Sequence, residues 1–453
     1  MRILHVVHSF VPYTMAGTEV YSYNLTREQA RRHKVFIFFR INNTKEREYS
    51  LTHKSFDSLE SYAINHTFRA CNSFSETYRD NIIDTKFSEL LDEIKPDIVH
   101  IHHLAFLSCG IVKEIEKRGI PIVYTLHDYW LICYRGQLIK EDLTICKGYS
   151  VIQCGDCLKY LLSIRKHSMY LYSILKKRIP VHLLGLLKRV HLFVANPKED
   201  ELKDWKETLE LTRSKIDLFI APSHFISKKF IEYGLPEDKI LNSPYGFDYR
   251  NFTALTKQES PVLRLGFMGT LLPMKGLNVL ISAFKEIKNE DIELVIYGKL
   301  FSYSGFESYP NRLKNNIGKD NRIKLKGGYD NKDIGKILSN IDVLIVPSLW
   351  LENAPLVIQE AFLSRTPVIV SRIGGIPELV TDGVNGLLFN PGDPGDLQRK
   401  IQYIIDNRDI LRKFRDNIPK IKSIEDNAKE IEEIYVNLIN KKASQFEEAL
   451  TLY

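Results

Sequence analysis

The sequence predicts an α/β protein of two Rossmann-like domains, each built on a parallel β-sheet, that face each other across a cleft. The chain has 453 residues, 44% hydrophobic and 26% charged, which is sufficient for two globular domains. Short β-branched runs alternate with helical segments in both halves, as in parallel βαβ units. Glycine-rich turns follow several of these runs, where open parallel sheets place their ligand-binding loops.

The N-terminal half contains three predicted strands. Residues 2–8 form the first strand, and a loop that contains Gly17 then leads into a helix. Residues 96–103 and 121–128 are two further β-branched runs, and His127 lies at the end of the second. No Gly-x-Gly-x-x-Gly sequence follows the first strand, which argues against a dinucleotide-dependent oxidoreductase.

The C-terminal half repeats the pattern of strands and helices. Residues 342–348 and 367–371 predict buried strands, separated by a loop and a helix. Upstream, a glycine-rich loop carries Lys275 and precedes a helix over 277–284. Glycines let the backbone approach a phosphate and the lysine adds a positive charge, although a solvated loop lysine is the simpler alternative. The Gly-Lys-Ser/Thr order of a P-loop is missing.

Two carboxylates eight residues apart, Glu352 and Glu360, are the strongest functional signal in the sequence. A helix that starts near Ala354, with Pro355 and Leu356 in its first turn, would leave Glu352 in the preceding loop and put Glu360 about two turns inside the helix. The two acids could then hold separate hydroxylated groups, with an anion at the helix start between them. The alternative is a surface helix with two solvated acids.

Together these motifs resemble glycosyltransferase family 4, a retaining, nucleotide-sugar-dependent group with the two-domain GT-B fold. The resemblance extends from the first strand to about residue 395. It covers the loop from Gly269 to Gly276, the acid pair, and the Gly-Gly-Ile-Pro-Glu segment that begins at Gly374. It implies a nucleoside-diphosphate-sugar donor, UDP- or GDP-linked, and a glycan or lipid-linked acceptor in surface polysaccharide or glycolipid synthesis.

The resemblance also implies roles for individual residues. Lys275 is expected to contact the donor diphosphate, Glu352 the sugar hydroxyls and Glu360 the ribose hydroxyls. Gly17 belongs to the same donor site, and His127 is expected beside the donor sugar. Two catalytic residues, His127 and Glu352, are therefore predicted. No catalytic metal is expected, because no Asp-x-Asp motif stands at a strand end.

The chain departs from the family pattern at two places. Thr270 replaces the usual arginine, so part of the phosphate-binding charge is missing, and Gly17 is the single glycine where the family generally has two. These departures keep open the alternative of an inactive nucleotide-sugar-binding scaffold. A GT-B nucleotide-sugar epimerase is a second alternative.

Four of the six cysteines, Cys133, Cys146, Cys154 and Cys157, lie within 25 residues. The final Cys-x2-Cys pair has the spacing of a metal knuckle, which predicts a structural zinc site. Ordinary buried thiols and redox activity are the alternatives. Because the cysteines show no even spacing, reduced thiols and a cytoplasmic location are expected.

Residues 157–198 contain nine lysines or arginines and no acidic residue. Without those nine, the remaining 54 basic residues are outnumbered by 56 acidic ones, so this segment accounts for the net charge of +7. The pattern predicts a basic amphipathic helix that binds an anionic membrane surface at its cytoplasmic face, or a solvated helix packed on the core. Nucleic acid is not expected as a partner, since the basic patch is local.

The domain boundary is predicted near residue 248, before a polar, turn-like segment. The first domain would comprise residues 1–248, joined by a returning helix within 425–453, and the nucleotide-sugar-binding domain would comprise residues 249–424. A donor bound between the two domains would favour their closure and so exclude water.

Overall fold

The computed structural model describes residues 1–68, 71, 73–162, 197–252, 257, 260–300 and 306–451. It confirms the predicted α/β architecture with two separate sheets. The strands are β1 (Arg2–Val7), β2 (Lys34–Ile41), β3 (Leu51–Phe56), β4 (Leu59–Asn65), β5 (Ile98–Ile101), β6 (Ile122–Thr125), β7 (Leu218–Ala221), β8 (Ile240–Asn242), β9 (Leu263–Met268), β10 (Ile292–Tyr297), β11 (Ile323–Gly327), β12 (Val343–Val346), β13 (Val368–Ser371) and β14 (Gly386–Phe389).

Helices connect most of these strands, as the right-handed crossovers of parallel sheets require. They are α1 (Gly17–Gln29), α2 (Asn81–Ile94), α3 (Gly110–Glu116), α4 (Val151–Leu162), α5 (Glu199–Ser214), α6 (His224–Glu232), α7 (Leu277–Lys285), α8 (Tyr309–Ile317), α9 (Ile334–Ser339), α10 (Leu356–Leu363), α11 (Ile376–Leu379), α12 (Pro394–Asp406), α13 (Ile410–Asp416) and α14 (Ile424–Thr451).

Both sheets are doubly wound, with the first strand of each in a central position. The first sheet has the order β3-β4-β2-β1-β5-β6-β7-β8, and only β3 runs antiparallel to its neighbour. The second sheet is parallel throughout, in the order β11-β10-β9-β12-β13-β14. The central strands β5, β6, β12 and β13 are buried along their whole length, which explains their continuous apolar sequences.

Helix α10 begins later than the sequence predicted. Its N-cap is Pro355, so the first helical residue is Leu356 and not Ala354. Glu360 is therefore the fifth residue of the helix, and the prediction of two turns between the helix start and Glu360 was wrong. Proline cannot donate a backbone hydrogen bond, which suits it to the cap of a helix but leaves the exact start undetermined by sequence.

The long C-terminal helix α14 packs against α1 of the first sheet's domain. Tyr21 donates a hydrogen bond to Asn427 at 2.9 Å, and the Tyr435 hydroxyl lies 2.6 Å from Nδ1 of His100. The backbone of Phe247 meanwhile pairs with residues 422 and 424 at the start of this helix. These contacts support the proposal that the chain returns to its first domain after residue 424.

Other sequence predictions fall partly outside the described residues. Most of the basic segment 157–198 does so, since residues 163–196 are not described. Most of the polar stretch after the proposed boundary at residue 248 is likewise outside them. Within the described parts of the chain, none of the helices combines the length and the apolar character that crossing a bilayer requires.

Candidate functional site

A cleft of about 760 Å³ lies where the carboxyl ends of the two sheets face each other. This volume is within the usual range of small-molecule sites. All eight residues that the sequence assigned to the donor site line this cleft, namely Gly17, His127, Lys275, Glu352, Ala354, Pro355, Leu356 and Glu360. They belong to segments far apart in the sequence, and the fold brings them together.

Glu352 lies in the loop between β12 and α10, and its side chain is only 5% exposed. Its Oε1 atom accepts three hydrogen bonds, each 2.7 Å long, from Lys275 Nζ, Ser348 Oγ and Trp350 Nε1. Such donors offset the cost of burying a carboxylate. The Lys275–Glu352 pair was not expected from the sequence, which assigned these residues to different parts of a ligand.

Lys275 is positioned where two backbone segments, at Gly276 and Pro347, pack closely against each other. It ends a short 3-10 turn over Pro273–Lys275, and Gly276 follows with a φ of +71°. A Cβ atom on Gly276 would lie 1.8 Å from the carbonyl oxygen of Pro347, at the end of β12. Only glycine fits there, both sterically and in backbone conformation. The lysine ammonium also lies 5.1 Å from the centre of the Trp350 ring.

Glu360 projects from the second turn of α10 into the same cleft. Burial raises the pKa of its carboxyl group to about 7, and no ion pair of this side chain is found among the described residues. Tyr329 lines the cleft as well, and burial raises the pKa of its hydroxyl group, as does the charge of Glu360. The carboxyl group is thus poised to gain or lose a proton near neutral pH.

Two helix N-termini meet in the cleft. Gly17 begins α1, and a Cβ atom built on it would lie 3.6 Å from Leu356, the first residue of α10. Neither N-cap residue, Ala16 or Pro355, uses its side chain to bond the helix amides. The positive ends of both helix dipoles are therefore directed toward the space between the domains, which favours an anion there.

His127, just beyond β6, is the last member of a buried chain of imidazoles. Its Nε2 lies 3.1 Å from His102 Nδ1, and His102 Nε2 lies 3.0 Å from His5 Nδ1. The chain ends at Gln29 Oε1, 2.9 Å from His5 Nε2. At the other end, the Tyr245 hydroxyl lies 2.7 Å from His127 Nδ1. Both ring nitrogens of His127 are thus engaged by the protein.

The direction of this chain follows from the Gln29 amide as the structure orients it. Its oxygen can only accept, so His5 carries its proton on Nε2 and accepts at Nδ1 from His102. By the same rule, His127 donates from Nε2 to His102 and accepts at Nδ1 from Tyr245. Burial lowers the pKa values of His5 and His127 to about 3, so these rings are neutral at physiological pH.

Asn353 joins the two domains beside the site. Its side-chain amide donates to the carbonyl oxygens of Leu126, at 2.9 Å, and His127, at 3.3 Å. Ser223, the N-cap of α6, donates to its Oδ1 at 2.6 Å. Glu378 makes a parallel contact, accepting from the backbone amides at the start of α6 at 2.6 and 2.8 Å.

The two glycines at 374 and 375 let these backbones come together. A Cβ on Gly374, which has a φ of +61°, would lie 2.2 Å from the carbonyl oxygen of Glu352. A Cβ on Gly375 would lie 2.0 Å from that of Asn353. The Gly-Gly-Ile-Pro-Glu segment therefore supports the loop of Glu352 and, through Glu378, contacts the first domain.

Sequence reasoning missed several residues of this site. Tyr245, Asn353 and Lys299 line the cleft, and His5 and His102 orient His127. Lys299 follows β10, at a strand end where a cation could have been sought to offset Thr270, which also lines the cleft. The histidine chain had no such signal, because histidines that are hydrogen-bonded to each other lie up to 97 residues apart in the sequence.

The four predicted metal ligands lie elsewhere. Cys133, Cys146, Cys154 and Cys157 line a second, small cavity, and all four are free thiols. Among the described residues, no three of their sulfur atoms lie within 4.8 Å of one another. A compact three-histidine group, His5, His100 and His102, does meet that distance, but its nitrogens are already hydrogen-bonded within the protein.

Comparison with known families identifies two matches along the chain. Residues 15–157 match the family described as Glycosyltransferase Family 4, and residues 254–421 match Glycosyl transferases group 1. An uncharacterised glycosyltransferase of Methanocaldococcus jannaschii is 34% identical over 33% of this chain and 40% of its own length. An uncharacterised 42.6 kDa protein in the cps region of Klebsiella pneumoniae is 23% identical over 66% of this chain and 63% of its own length.

These alignments thus span about half the length of the relatives. A solved structure of the Anabaena protein HepE, in complex with UDP and glucose, superposes with a TM-score of 0.60 at 17% identity. That superposition covers 100% of this chain and 99% of the Anabaena chain. At such low identity the similarity establishes the fold alone.

Proposed function

Because this chain belongs to glycosyltransferase family 4 and has the GT-B fold, we propose that it transfers a sugar, with retention of anomeric configuration, from a nucleoside diphosphate to a glycan or lipid-linked acceptor. One observation carries the proposal. The carboxylates of Glu352 and Glu360, the ammonium of Lys275 and the N-termini of two helices all face a single cleft between two Rossmann-like domains.

The proposed orientation of the donor follows from the charged groups of the cleft. The half-buried carboxylate of Glu360 accepts hydrogen bonds from the ribose hydroxyls, and the helix start at Ala354, Pro355 and Leu356 receives the diphosphate. Lys299 supplies a second cation beside Lys275 and offsets the arginine that Thr270 replaces. A uridine donor is favoured, because HepE, which shares the fold, was solved with UDP-glucose.

The Lys275–Glu352 ion pair provides a link between donor binding and the sugar site. A diphosphate competes with the Glu352 carboxylate for the lysine ammonium, which is 30% exposed and therefore accessible. When Lys275 turns toward the phosphates, Oε1 of Glu352 loses one of its three donors. A sugar hydroxyl can then take the vacated position, so the lysine would contribute to both contacts.

The transfer step proceeds by front-face substitution. The bond from the anomeric carbon to the diphosphate oxygen breaks, and a bond to the acceptor oxygen forms on the same face. The departing phosphate oxygen takes the acceptor proton. Lys275 and the two helix N-termini stabilise the negative charge on the leaving group. His127 is neutral, so it would orient the sugar as a hydrogen-bonding dipole, with a sugar hydroxyl replacing Tyr245 at Nδ1.

The edge of the cleft offers a surface to the acceptor. Tyr13 and Met15, both about half exposed, stand at its edge in the loop before α1 and offer an apolar surface to an acceptor. A lipid-linked acceptor is consistent with this surface. It is also consistent with the proposed contact of the basic segment 157–198 with the cytoplasmic face of an anionic membrane.

The proposal is tested by screening nucleotide sugars for thermal stabilisation and then for transfer. A donor at about 100 times its dissociation constant should stabilise the protein by about 2.7 kcal/mol. The stabilising donor is then incubated with and without candidate acceptors, and the anomeric configuration of the product is read by NMR. Transfer with inversion, epimerisation of the donor alone, or binding without turnover would each reject the proposal, and the last two would favour the epimerase or the inactive scaffold.

Donor affinity should depend on pH through Glu360. With a carboxyl pKa of about 7, the ionised fraction rises about tenfold between pH 6 and pH 8. Since the carboxylate is the stronger acceptor of ribose hydroxyls, we expect the Kd for UDP-glucose to fall about tenfold over this interval and to change little above it. Calorimetric titration at several pH values measures this, and UDP-glucose has no group of its own that titrates there.

The matched variant for this prediction is Glu360→Gln. It keeps the size of the side chain and removes the titration, so its Kd for UDP-glucose should be nearly independent of pH. A wild-type Kd that stays constant from pH 6 to pH 8, or a variant that retains the full pH dependence, would show that Glu360 does not contact the donor through its carboxylate.

A further inference from the structure

The four clustered cysteines line one cavity and belong to three separate segments of the chain. Cys133 lies in the turn that follows Trp130, and Cys146 ends a short antiparallel bridge between Ile139 and Ile145. Cys154 and Cys157 lie on α4, three residues apart and hence on the same face of the helix. The cavity between them measures about 40 Å³, which is enough for a single ion.

Arg135 brings N–H donors to this cavity. The side chain of Arg135 is only 2% exposed, and its Nη1 lies 3.7 Å from the sulfur of Cys157. N–H donors directed at sulfur are the usual outer partners of metal-bound cysteines.

Arg135 gives the strongest indication of a bound ligand, because its guanidinium group is buried and some of its N–H groups have no acceptor. Its Nε and Nη2 atoms have no hydrogen-bond partner among the described residues, and its nearest carboxylate, Glu141, is 3.8 Å away. A buried guanidinium with one long ion pair and two unpartnered N–H groups is costly. Four thiolates around a divalent cation carry a net charge of about −2, which would compensate this arginine and supply acceptors for its N–H groups.

We propose that Cys133, Cys146, Cys154 and Cys157 bind one zinc ion in a structural site. Thiolates are soft ligands that select zinc over magnesium or calcium, and four of them complete its tetrahedral coordination. Binding releases the four thiol protons as the four Zn–S bonds form. Among the described residues, no three of the four sulfur atoms lie within 4.8 Å of one another, so the cysteine side chains rotate inward when the ion binds.

The zinc would stabilise the segment that follows His127. Tyr129 donates its backbone N–H to Gly136 at 3.0 Å, and Cys133 donates to Tyr129 at 2.8 Å. The cysteine segment is therefore tied to Asp128 and His127, two residues that line the donor cleft. The site is separate from that cleft, and metal content is measured without a transfer assay, so the test of the zinc site does not depend on the proposed transferase activity.

The test compares metal content in the full-length protein purified under reducing conditions with zinc present. Elemental analysis should find about one zinc per chain in the wild type and a loss of nearly all of it in Cys154→Ser/Cys157→Ser. The matched control is Cys71→Ser/Cys109→Ser, which removes the two buried cysteines outside the cluster and should retain the zinc. Cobalt substitution of the wild type should give the visible absorption of a tetrahedral thiolate site, so the test holds even if the first variant does not fold.

Two results would overturn the proposal. One is that the wild-type protein retains no stoichiometric zinc or cobalt, and that its four cluster thiols react with a thiol reagent in the absence of a chelator. The other is a folded Cys154→Ser/Cys157→Ser variant that keeps the metal of the wild type. Neither result would bear on sugar transfer, which is measured in a separate assay.

Discussion

Replacing Glu352 with glutamine is expected to lower kcat/KM for sugar transfer by about 10²–10³-fold and to leave the protein folded. The loss arises because the sugar hydroxyls lose a charged acceptor in a site shielded from water. Removing one directed polar contact from a transition state typically has an effect of this size. Steady-state kinetics with saturating acceptor measure it.

The structure indicates why this variant should fold. Glutamine retains an oxygen that can accept from Ser348 Oγ and Trp350 Nε1, and Lys275 is exposed enough to be solvated. The matched control is Glu286→Gln, an exposed site on the same domain with the same change of charge. Its kinetics should equal those of the wild type. Unchanged transfer by Glu352→Gln, with the wild-type thermal midpoint, would exclude Glu352 from the reaction.

Replacing His102 with phenylalanine is expected to lower kcat by about 10–100-fold with little change in donor KM. His102 does not line the cleft, so it acts as a positioning residue through His127. Phenylalanine preserves the aromatic ring but leaves His127 Nε2 without a partner, so the imidazole loses its fixed tautomer and orientation. Loss of tautomer control reduces catalysis strongly where an imidazole acts on a substrate.

Two measurements separate this positioning role from a general loss of structure. The ¹⁵N chemical shifts of the His127 ring report its tautomer and should change in His102→Phe, whereas donor affinity by calorimetry should not. The control His53→Phe removes an exposed histidine on β3, which pairs with Glu60 away from the cleft. If His102→Phe turned over at the wild-type rate with an altered His127 tautomer, the histidine chain would have no part in catalysis.

Much of the fold could be predicted from the sequence because the signals for strands and helices are local. Continuous β-branched runs marked the central strands β5, β6, β12 and β13, since strands covered on both faces are apolar throughout. The glycines near Lys275 and at 374–375 were visible for the same reason. The reason that Gly276 must be glycine was not visible in the sequence. Its φ of +71°, and the carbonyl oxygen that would lie 1.8 Å from a Cβ atom there, depend on long-range packing.

The sequence by itself therefore determined the α/β class, the acid pair and its lysine, and the cluster of cysteines, all of which depend on residue type and spacing within a short window. Only the tertiary structure decided which of these groups touch. Lys275 meets Glu352 across 77 residues, and Asn353 reaches Leu126 across 227. The physical reason is that hydrophobic periodicity specifies how a segment folds, whereas a hydrogen bond between distant segments depends on the final positions of both backbones.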